Sequence, residues 1–361
     1  MQWLVLCALS KSGKPICFSQ DTDMRLGKTL GDGNGDWPAS IPPLVDIQLG
    51  EEHVCARDEL GSVWCWGKNS FGQCGHGDLG GSVDPHRVDL PSPVAKLAVG
   101  RGSTCALLTD GRVSCWGANL NNQLGRGPDE ATPTADTAPH PDPAFAVGVT
   151  DATDIAMGET DRVCVVRLGG EVWCWGAIDD YHDGVSIGDG PQTVPVAKRD
   201  PLFAGVAERV FRASTVGTCI TTKGGKVYSW SGLGMVNIFG QIVPKYFPGP
   251  EDEPWMGLVE PVAHCSGSFY MWVFLRRDGR LAVHGTNTLG SAGLGAKEPL
   301  WIPAAVVPGL DCASVLADQS AQSCVIRTNG QLWCWGAPFV MKTSPSEYYS
   351  PAFAVDLREF P

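Results

Sequence analysis

The chain has 361 residues, with 39 acidic against 27 basic side chains and a net charge of -12. That balance, with no run of Lys or Arg anywhere, argues against nucleic acid or an anionic membrane surface as a partner. No stretch approaches the roughly 18 apolar residues of a membrane-spanning helix. Fourteen cysteines are more than a reduced cytosolic protein of this size carries, and 45 Gly with 27 Pro fit short strands joined by tight turns.

One motif recurs along the whole chain, clearest at Cys105-Ala106-Leu107-Leu108-Thr109-Asp110-Gly111-Arg112-Val113-Ser114-Cys115-Trp116-Gly117. Copies start at Cys7, Cys55, Cys105, Cys164, Cys219, Val273 and Cys324, spaced by 48, 50, 59, 55, 54 and 51 residues. A period near fifty predicts an array of small sheets, because one such unit cannot bury its own apolar face. Length alone favours two or three domains. The repeats use up the chain, so one domain over residues 1–361 is expected.

The elements follow in order. Met1 to Leu9 is apolar, and Leu4-Val5-Leu6-Cys7 is similar to a lipoprotein cleavage site, but it lacks a basic flank. Cys7, Gly13 and Cys17 align with Cys105, Gly111 and Cys115, so we read it as the first repeat. An export signal, on this reading, has been removed or lies outside the sequence. Asp32-Gly33-Asn34-Gly35-Asp36 has the start of a calcium loop without a Glu at the twelfth position. We read it as an ordinary repeat turn. Each later repeat is preceded by an extended lead-in such as Val94 to Gly100. Arg126 to Phe145, rich in Pro, Thr and Asp, reads as a solvated loop. The fifth repeat sets Cys219 opposite Ser229. The sixth has Val273 and Val283 in place of both cysteines, and His284 in place of the repeat tryptophan, which we read as local repacking. Beyond the last repeat, Ser350 to Leu357 is an orphan strand.

Five cysteine pairs share one spacing: Cys7/Cys17, Cys55/Cys65, Cys105/Cys115, Cys164/Cys174 and Cys324/Cys334. A glycine follows each first cysteine by six residues, which suggests a turn site of positive φ. With Thr109-Asp110-Gly111 as a three-residue hairpin loop, Leu108 faces Arg112 and Cys105 lies across from Cys115. Opposed residues of an antiparallel pair are within disulfide reach. We therefore expect five hairpin disulfides and an extracellular, periplasmic or surface location. Free buried thiols are the alternative, and zinc is a third, disfavoured by the spacing. Cys74, Cys219, Cys265 and Cys312 stay unassigned.

The motif, with Cys-Trp-Gly at 65–67, 115–117, 174–176 and 334–336, Asn at 69, 119 and 287, and Gln123-Leu124-Gly125, resembles the regulator of chromosome condensation repeat family. It is similar to that family's cysteine-bearing bacterial branch. The resemblance implies an all-β fold, a seven-bladed β-propeller of four-stranded antiparallel blades. We expect the C-terminal strand to close the ring by completing the N-terminal blade. Alternation along the hairpins puts each bridge on one blade face and each tryptophan on the other. These indoles are expected to fill the space between blades, with Gly117 allowing close backbone approach.

Function in an array sits in what the repeats do not share. The candidates are Tyr181, His182 and Asp183 in a lengthened connection; Phe239, Tyr246, Phe247 and Trp255 among prolines; and Tyr348 and Tyr349. Aromatics on stiff loops lose little entropy on binding. No phosphate-binding loop, His-Glu-x-x-His or nucleophile elbow occurs, so no enzyme, cofactor or metal is expected. The leading reading is a secreted or surface scaffold that binds another protein. Carbohydrate binding, exchange activity on a small GTPase, as the resemblance allows, and a cell-wall-polymer hydrolase or lyase are the alternatives.

Overall fold

The structure is a computed structural model. It describes residues 5–19, 37–127, 136–158, 161–178, 192–199, 205–212, 217–225, 227–231, 262–267, 271–286, 301–319, 322–336 and 353–354. All regular structure among them is β, apart from turns. The chain divides into two compact units, Met1–Val210 with Pro361, and Phe211–Phe360.

In the first unit, β1 (Val5–Leu9) and β2 (Pro15–Ser19) form a hairpin. Three four-stranded antiparallel sheets follow. They are β3 (Leu44–Leu49) to β6 (Ser82–Val88), β7 (Val94–Val99) to β10 (His140–Phe145), and β11 (Ala152–Met157) to β14 (Gln192–Arg199). Their middle hairpins are β4 (His53–Asp58) with β5 (Val63–Lys68), β8 (Ser103–Leu108) with β9 (Val113–Gly117), and β12 (Arg162–Arg167) with β13 (Val172–Ile178). Next in the chain, β15 (Ala207–Arg212), β16 (Gly217–Thr222) and β17 (Val227–Ser231) make a sheet.

In the second unit, β18 (Val262–Gly267), β19 (Met271–Arg276) and β20 (Arg280–Thr286) continue into β21 (Trp301–Gln319). That strand pairs with β20 through Trp301 to Asp311, then with β22 (Gln322–Arg327) through Cys312 to Gln319. It thus joins two repeats into one sheet, completed by β23 (Leu332–Gly336) and β24 (Phe353–Ala354).

The last pairing corrects an expectation. Phe353 and Ala354 pair with Cys334 and Trp333 of the last repeat. The segment is the fourth strand of its own repeat, as β6, β10 and β14 are of theirs. A strand next in sequence is the cheapest cover for the open edge of β23. A second correction concerns Arg126 to Phe145. Its end is β10, on the edge of its sheet. Pro141 and Pro143 hide the strand from a sequence reading, but an edge tolerates prolines because its outer N–H groups need no ladder partner.

The repeat turn behaves as its glycine predicts. Gly13, Gly61, Gly111, Gly170, Gly225, Gly279 and Gly330 all have positive φ, between 73° and 85°. At Gly111, the Leu108 amide donates to the Arg112 carbonyl at 2.8 Å and the Gly111 amide to the Leu108 carbonyl at 3.0 Å. The hairpin register then sets Cys7 against Cys17, Cys55 against Cys65, Cys105 against Cys115, Cys164 against Cys174 and Cys324 against Cys334. The glycine also touches the next repeat. Its carbonyl accepts the first lead-in amide, Gly61 from Val94 and Gly111 from Ala152, both at 2.9 Å. A Cβ at Gly111 would stand 2.9 Å from the Thr150 carbonyl oxygen.

Disulfides join Cys55–Cys65, Cys105–Cys115 and Cys164–Cys174, with Cα separations of 4.2, 4.1 and 4.1 Å. Cys7 and Cys324 are also disulfide-bonded. Cys219, which lacks a partner across its own hairpin, is bonded to Cys265 on β18. Cys74 keeps a buried thiol 3.4 Å from the Lys68 carbonyl, and burial pushes it up to about 12.

The core lies between repeats. Trp116 packs on the Cys55 and Cys65 side of the preceding repeat, and Trp175 on the Cys105 and Cys115 side. Trp335 packs on Val273 and Val283, so the valine pair fills the place of a bridge. Each indole N–H of the regular pair reaches back: Trp116 Nε1 donates to the Gln73 carbonyl and Trp175 Nε1 to the Gln123 carbonyl, both at 2.9 Å. Gly117 allows the close approach of the preceding repeat's loop, since a Cβ there would lie 3.1 Å from the Gln73 Cα. The sixth repeat departs from this pattern in its ladder. In six hairpins the residue across from the third-strand position is small or aliphatic; in the sixth repeat Trp272 stands across from His284. The indole has moved to the neighbouring strand, and Trp272 is buried.

Candidate functional site

Most polar residues of the motif are consumed by the fold. Asn69 Oδ1 accepts the Cys74 amide at 3.0 Å, and Asn119 Oδ1 accepts the Leu124 amide at 3.1 Å. Gln73 and Gln123 hold the Phe71 and Asn121 amides, both at 2.9 Å. These four side chains are buried. They set the loops that follow the third strands, and what those loops present is left for solvent.

The first two repeats with such loops differ there. Phe71 is 41% exposed and Leu120 67%, both large apolar side chains in water. Their neighbours are the turns between the first and second strands, where residues just before each leading cysteine vary in charge. Glu51 pairs with Arg101, whose side chain is 68% exposed. A Cβ on Gly102 would lie 3.3 Å from the Phe71 ring. Asn121 Nδ2 donates to Asp161 Oδ2 at 3.2 Å. Three turns and two loops, from three successive repeats, thus meet in one patch of Glu51, Phe71, Arg101, Asn121 and Asp161, with exposed Leu120 next to Asn121 in the chain.

Asp161 is the unusual member. It has φ of 64°, rare for a residue with a side chain. Its Oδ1 is buried without a hydrogen-bond partner among the described residues. Burial raises its pKa from 3.8 to about 6, against the opposing hydrogen bond from Asn121 and the charge of Arg101. A carboxylate kept under such conditions is a common mark of a functional surface.

A second polar cluster lines the lead-in strands. A bulge in β7 and another in β11 place Lys96 and Asp154 at matching positions. Lys96 Nζ donates to Asp154 Oδ1 at 2.6 Å and to the Val210 carbonyl at 3.3 Å. Asp154 Oδ2 accepts the Val210 amide at 2.9 Å and lies 3.6 Å from Arg209 Nε. One side chain thus touches the next two lead-in strands. Burial pulls the Lys96 pKa down, and Asp154 beside it pulls the other way. Its partners make this cluster a brace between repeats.

Tyr181, His182, Asp183, Phe239, Tyr246, Phe247, Trp255, Tyr348 and Tyr349 lie outside the described residues, as does Asp32 to Asp36. The sequence reading missed the patch because it sought long insertions. The signal was shorter: the few residues before each leading cysteine change charge from repeat to repeat, as Glu51-Glu52-His53, Arg101-Gly102-Ser103 and Asp161-Arg162. Among the described residues, no group of three or more His, Cys, Asp or Glu could hold a metal ion. No described helix is long and apolar enough to cross a membrane.

Profiles of the regulator of chromosome condensation (RCC1) repeat match residues 61–107, and 44–73 with 94–123. Residues 44–123 carry the RCC1 repeat signature. Over 186 residues it is 27% identical to the RCC1 domain-containing protein RUG3, mitochondrial, of Arabidopsis thaliana, which covers 48% of this chain and 39% of that one. It thus spans about two fifths of the plant protein's length. Among solved structures it is similar to human WBSCR16 (TM-score 0.66, 16% identity, 96% of this chain and 86% of that one). It is also similar to Prp20p of Saccharomyces cerevisiae (TM-score 0.66, 18% identity, 93% and 81%), described together with its binding to Gsp1p and histones. At these identities the likeness shows the fold alone, an RCC1-type β-propeller array. In this chain cysteines bridge the hairpins at 55–65, 105–115 and 164–174.

Proposed function

We propose that this RCC1-repeat protein is a non-enzymatic scaffold that binds another protein, with seven repeats as seven blades, outside the cytoplasm. The observation that carries the reading is the division of labour within each repeat. Asn69, Gln73, Asn119, Gln123, Trp66, Trp116 and Trp175 are committed to the interior. Phe71, Leu120 and Arg101 are left exposed on turns and loops held from beneath. A stiff frame that presents aromatic, aliphatic and Arg side chains suits protein contact, since little order is lost on binding. The binding of Prp20p to other proteins is consistent with this use of the fold. The location rests on Cys55–Cys65, Cys105–Cys115 and Cys164–Cys174, because such bonds persist in oxidising compartments.

The test compares wild type with two triple variants, Phe71→Ala/Arg101→Ala/Leu120→Ala and Tyr246→Ala/Phe247→Ala/Trp255→Ala, in capture of proteins from the producing cell's surface and medium. We expect the first variant to lose at least tenfold in recovery of the captured partner while keeping its denaturation midpoint. Equal recovery from all three proteins rejects both surfaces.

A further inference from the structure

We propose that the Cys219–Cys265 bond is a redox-controlled clasp between the fifth and sixth repeats. Every other cysteine pair of the motif faces its partner within one hairpin, ten residues away. Such a bond ties two strands that the turn and ladder already hold. Cys219 instead faces Ser229 across its hairpin. Its sulfur crosses to β18, the lead-in strand of the next repeat, 46 residues on, with a Cα separation of 6.5 Å. That separation lies within ordinary disulfide reach.

The position of Cys265 in the repeat gives the bond its meaning. Cys265 pairs in the ladder with Phe274, as Leu97 pairs with Ala106 and Ile155 with Val165. Leu97 and Ile155 are the lead-in side chains packed in the same core clusters as the preceding repeat's bridge. At this one junction both sides have changed. The hairpin lacks its second cysteine, and the apolar lead-in residue is a cysteine. An apolar contact between repeats has become a covalent bond. Both cysteines are fully buried, in a cluster with Phe211, Val227, Val262, Trp272 and Phe274. The same junction belongs to the repeat whose indole has moved from position 284 to Trp272.

The chemistry is a two-step exchange with a dithiol reductant. One reductant thiolate attacks a sulfur of the bond, giving a mixed disulfide and one cysteine thiolate. The second reductant thiol displaces the other cysteine, and the reductant leaves as its own disulfide. Two electrons pass to Cys219 and Cys265, which end as thiols after protonation. The buried sulfurs are reached when the junction opens locally. Once cut, the two repeats are covalently joined only through the long intervening chain, whereas a cut hairpin bond leaves its strands joined by a short turn. Loop-closure entropy makes the former the larger release.

The test is hydrogen exchange by mass spectrometry on the full chain, purified without reductant, across a dithiothreitol series with parallel thiol alkylation. Wild type is compared with Cys219→Ala/Cys265→Leu and with the control Cys105→Val/Cys115→Val, which copies the valine pair of the sixth repeat. In wild type we expect amides of β16, β18 and β19 to exchange at least tenfold faster as Cys219 and Cys265 become alkylatable. The clasp variant should exchange fast there from the outset and ignore the reductant. The control should still respond at β16, β18 and β19. Slow exchange in the clasp variant, or acceleration in wild type that follows Cys105 and Cys115 labelling instead, overturns the proposal. If the clasp variant does not fold, the wild-type correlation alone decides between these outcomes.

Discussion

The regular repeats of the first unit and the diverged repeats of the second solve one packing problem in two ways. Between β4–β5 and β8–β9, and again between β8–β9 and β12–β13, a hairpin bridge lies under the indole of the following repeat. That indole then donates to a loop carbonyl behind it. In the second unit the parts are redistributed. Val273 and Val283 replace a bridge beneath Trp335, Trp272 takes the indole across the ladder from His284, and Cys219 spends its sulfur on the neighbouring repeat. The space between adjacent hairpins is what stays constant. A repeat array tolerates exchange of the residues that fill it, provided volume and apolar character are kept.

The largest test of this equivalence removes the indoles. Trp116→Ala is expected to lower stability by about 3–5 kcal/mol, through lost transfer energy and a cavity that collapses only in part. Trp272→Ala should fall in the same range if the moved indole does the same work. Urea denaturation of each variant, followed by signals from its own unit, measures both. A cost near zero for Trp272→Ala would break the comparison.

A smaller effect separates the units by charge. The folded state raises the Asp161 pKa to about 6, above its ordinary 3.8. Between roughly pH 4 and 6 the folded chain therefore holds more protons than the unfolded one, and this carboxyl's contribution to stability falls as pH rises through that window. Asp161→Asn removes the penalty and keeps a side chain that tolerates positive φ. We expect a gain of about 2 kcal/mol at pH 7, little change at pH 4, and no shift in second-unit signals. An unchanged pH profile in the variant would show that Asp161 carries no buried charge.

The finest comparison sets two turn glycines with the same φ of 85° side by side. Gly330 has open space where a Cβ would go, whereas Gly111 has the Thr150 carbonyl oxygen at 2.9 Å. Gly330→Ala should cost about 1 kcal/mol, the conformational part alone. Gly111→Ala should cost about 1 kcal/mol more, since the contact to the next repeat must also shift. Equal losses would mean that the glycine acts only within its own turn.

Much of this protein is legible along the chain because each repeat is a local structure. The ten-residue cysteine spacing and a glycine six residues after the first cysteine are consequences of one hairpin, so they predict register, φ and three of the observed bonds without tertiary knowledge. The regular Cys-Trp-Gly motif likewise reports the indole's side of the strand, because alternation is a property of the strand itself. The strand at Phe353 was legible as an element, but its partner was not, since pairing depends on which edge is open when the sheet is built.

The amino-acid sequence by itself determined the repeat, its turns, the hairpin bridges and the interior role of the tryptophans, all of which follow from contacts within about a dozen residues. Only the tertiary structure decided that Cys219 bonds Cys265, that Lys96 reaches two lead-in strands at once, and that Phe71, Arg101 and Asp161 share a surface. Those arrangements join residues from different repeats. Nothing local encodes which repeats become neighbours, because that choice is made by burying apolar faces that every repeat presents alike.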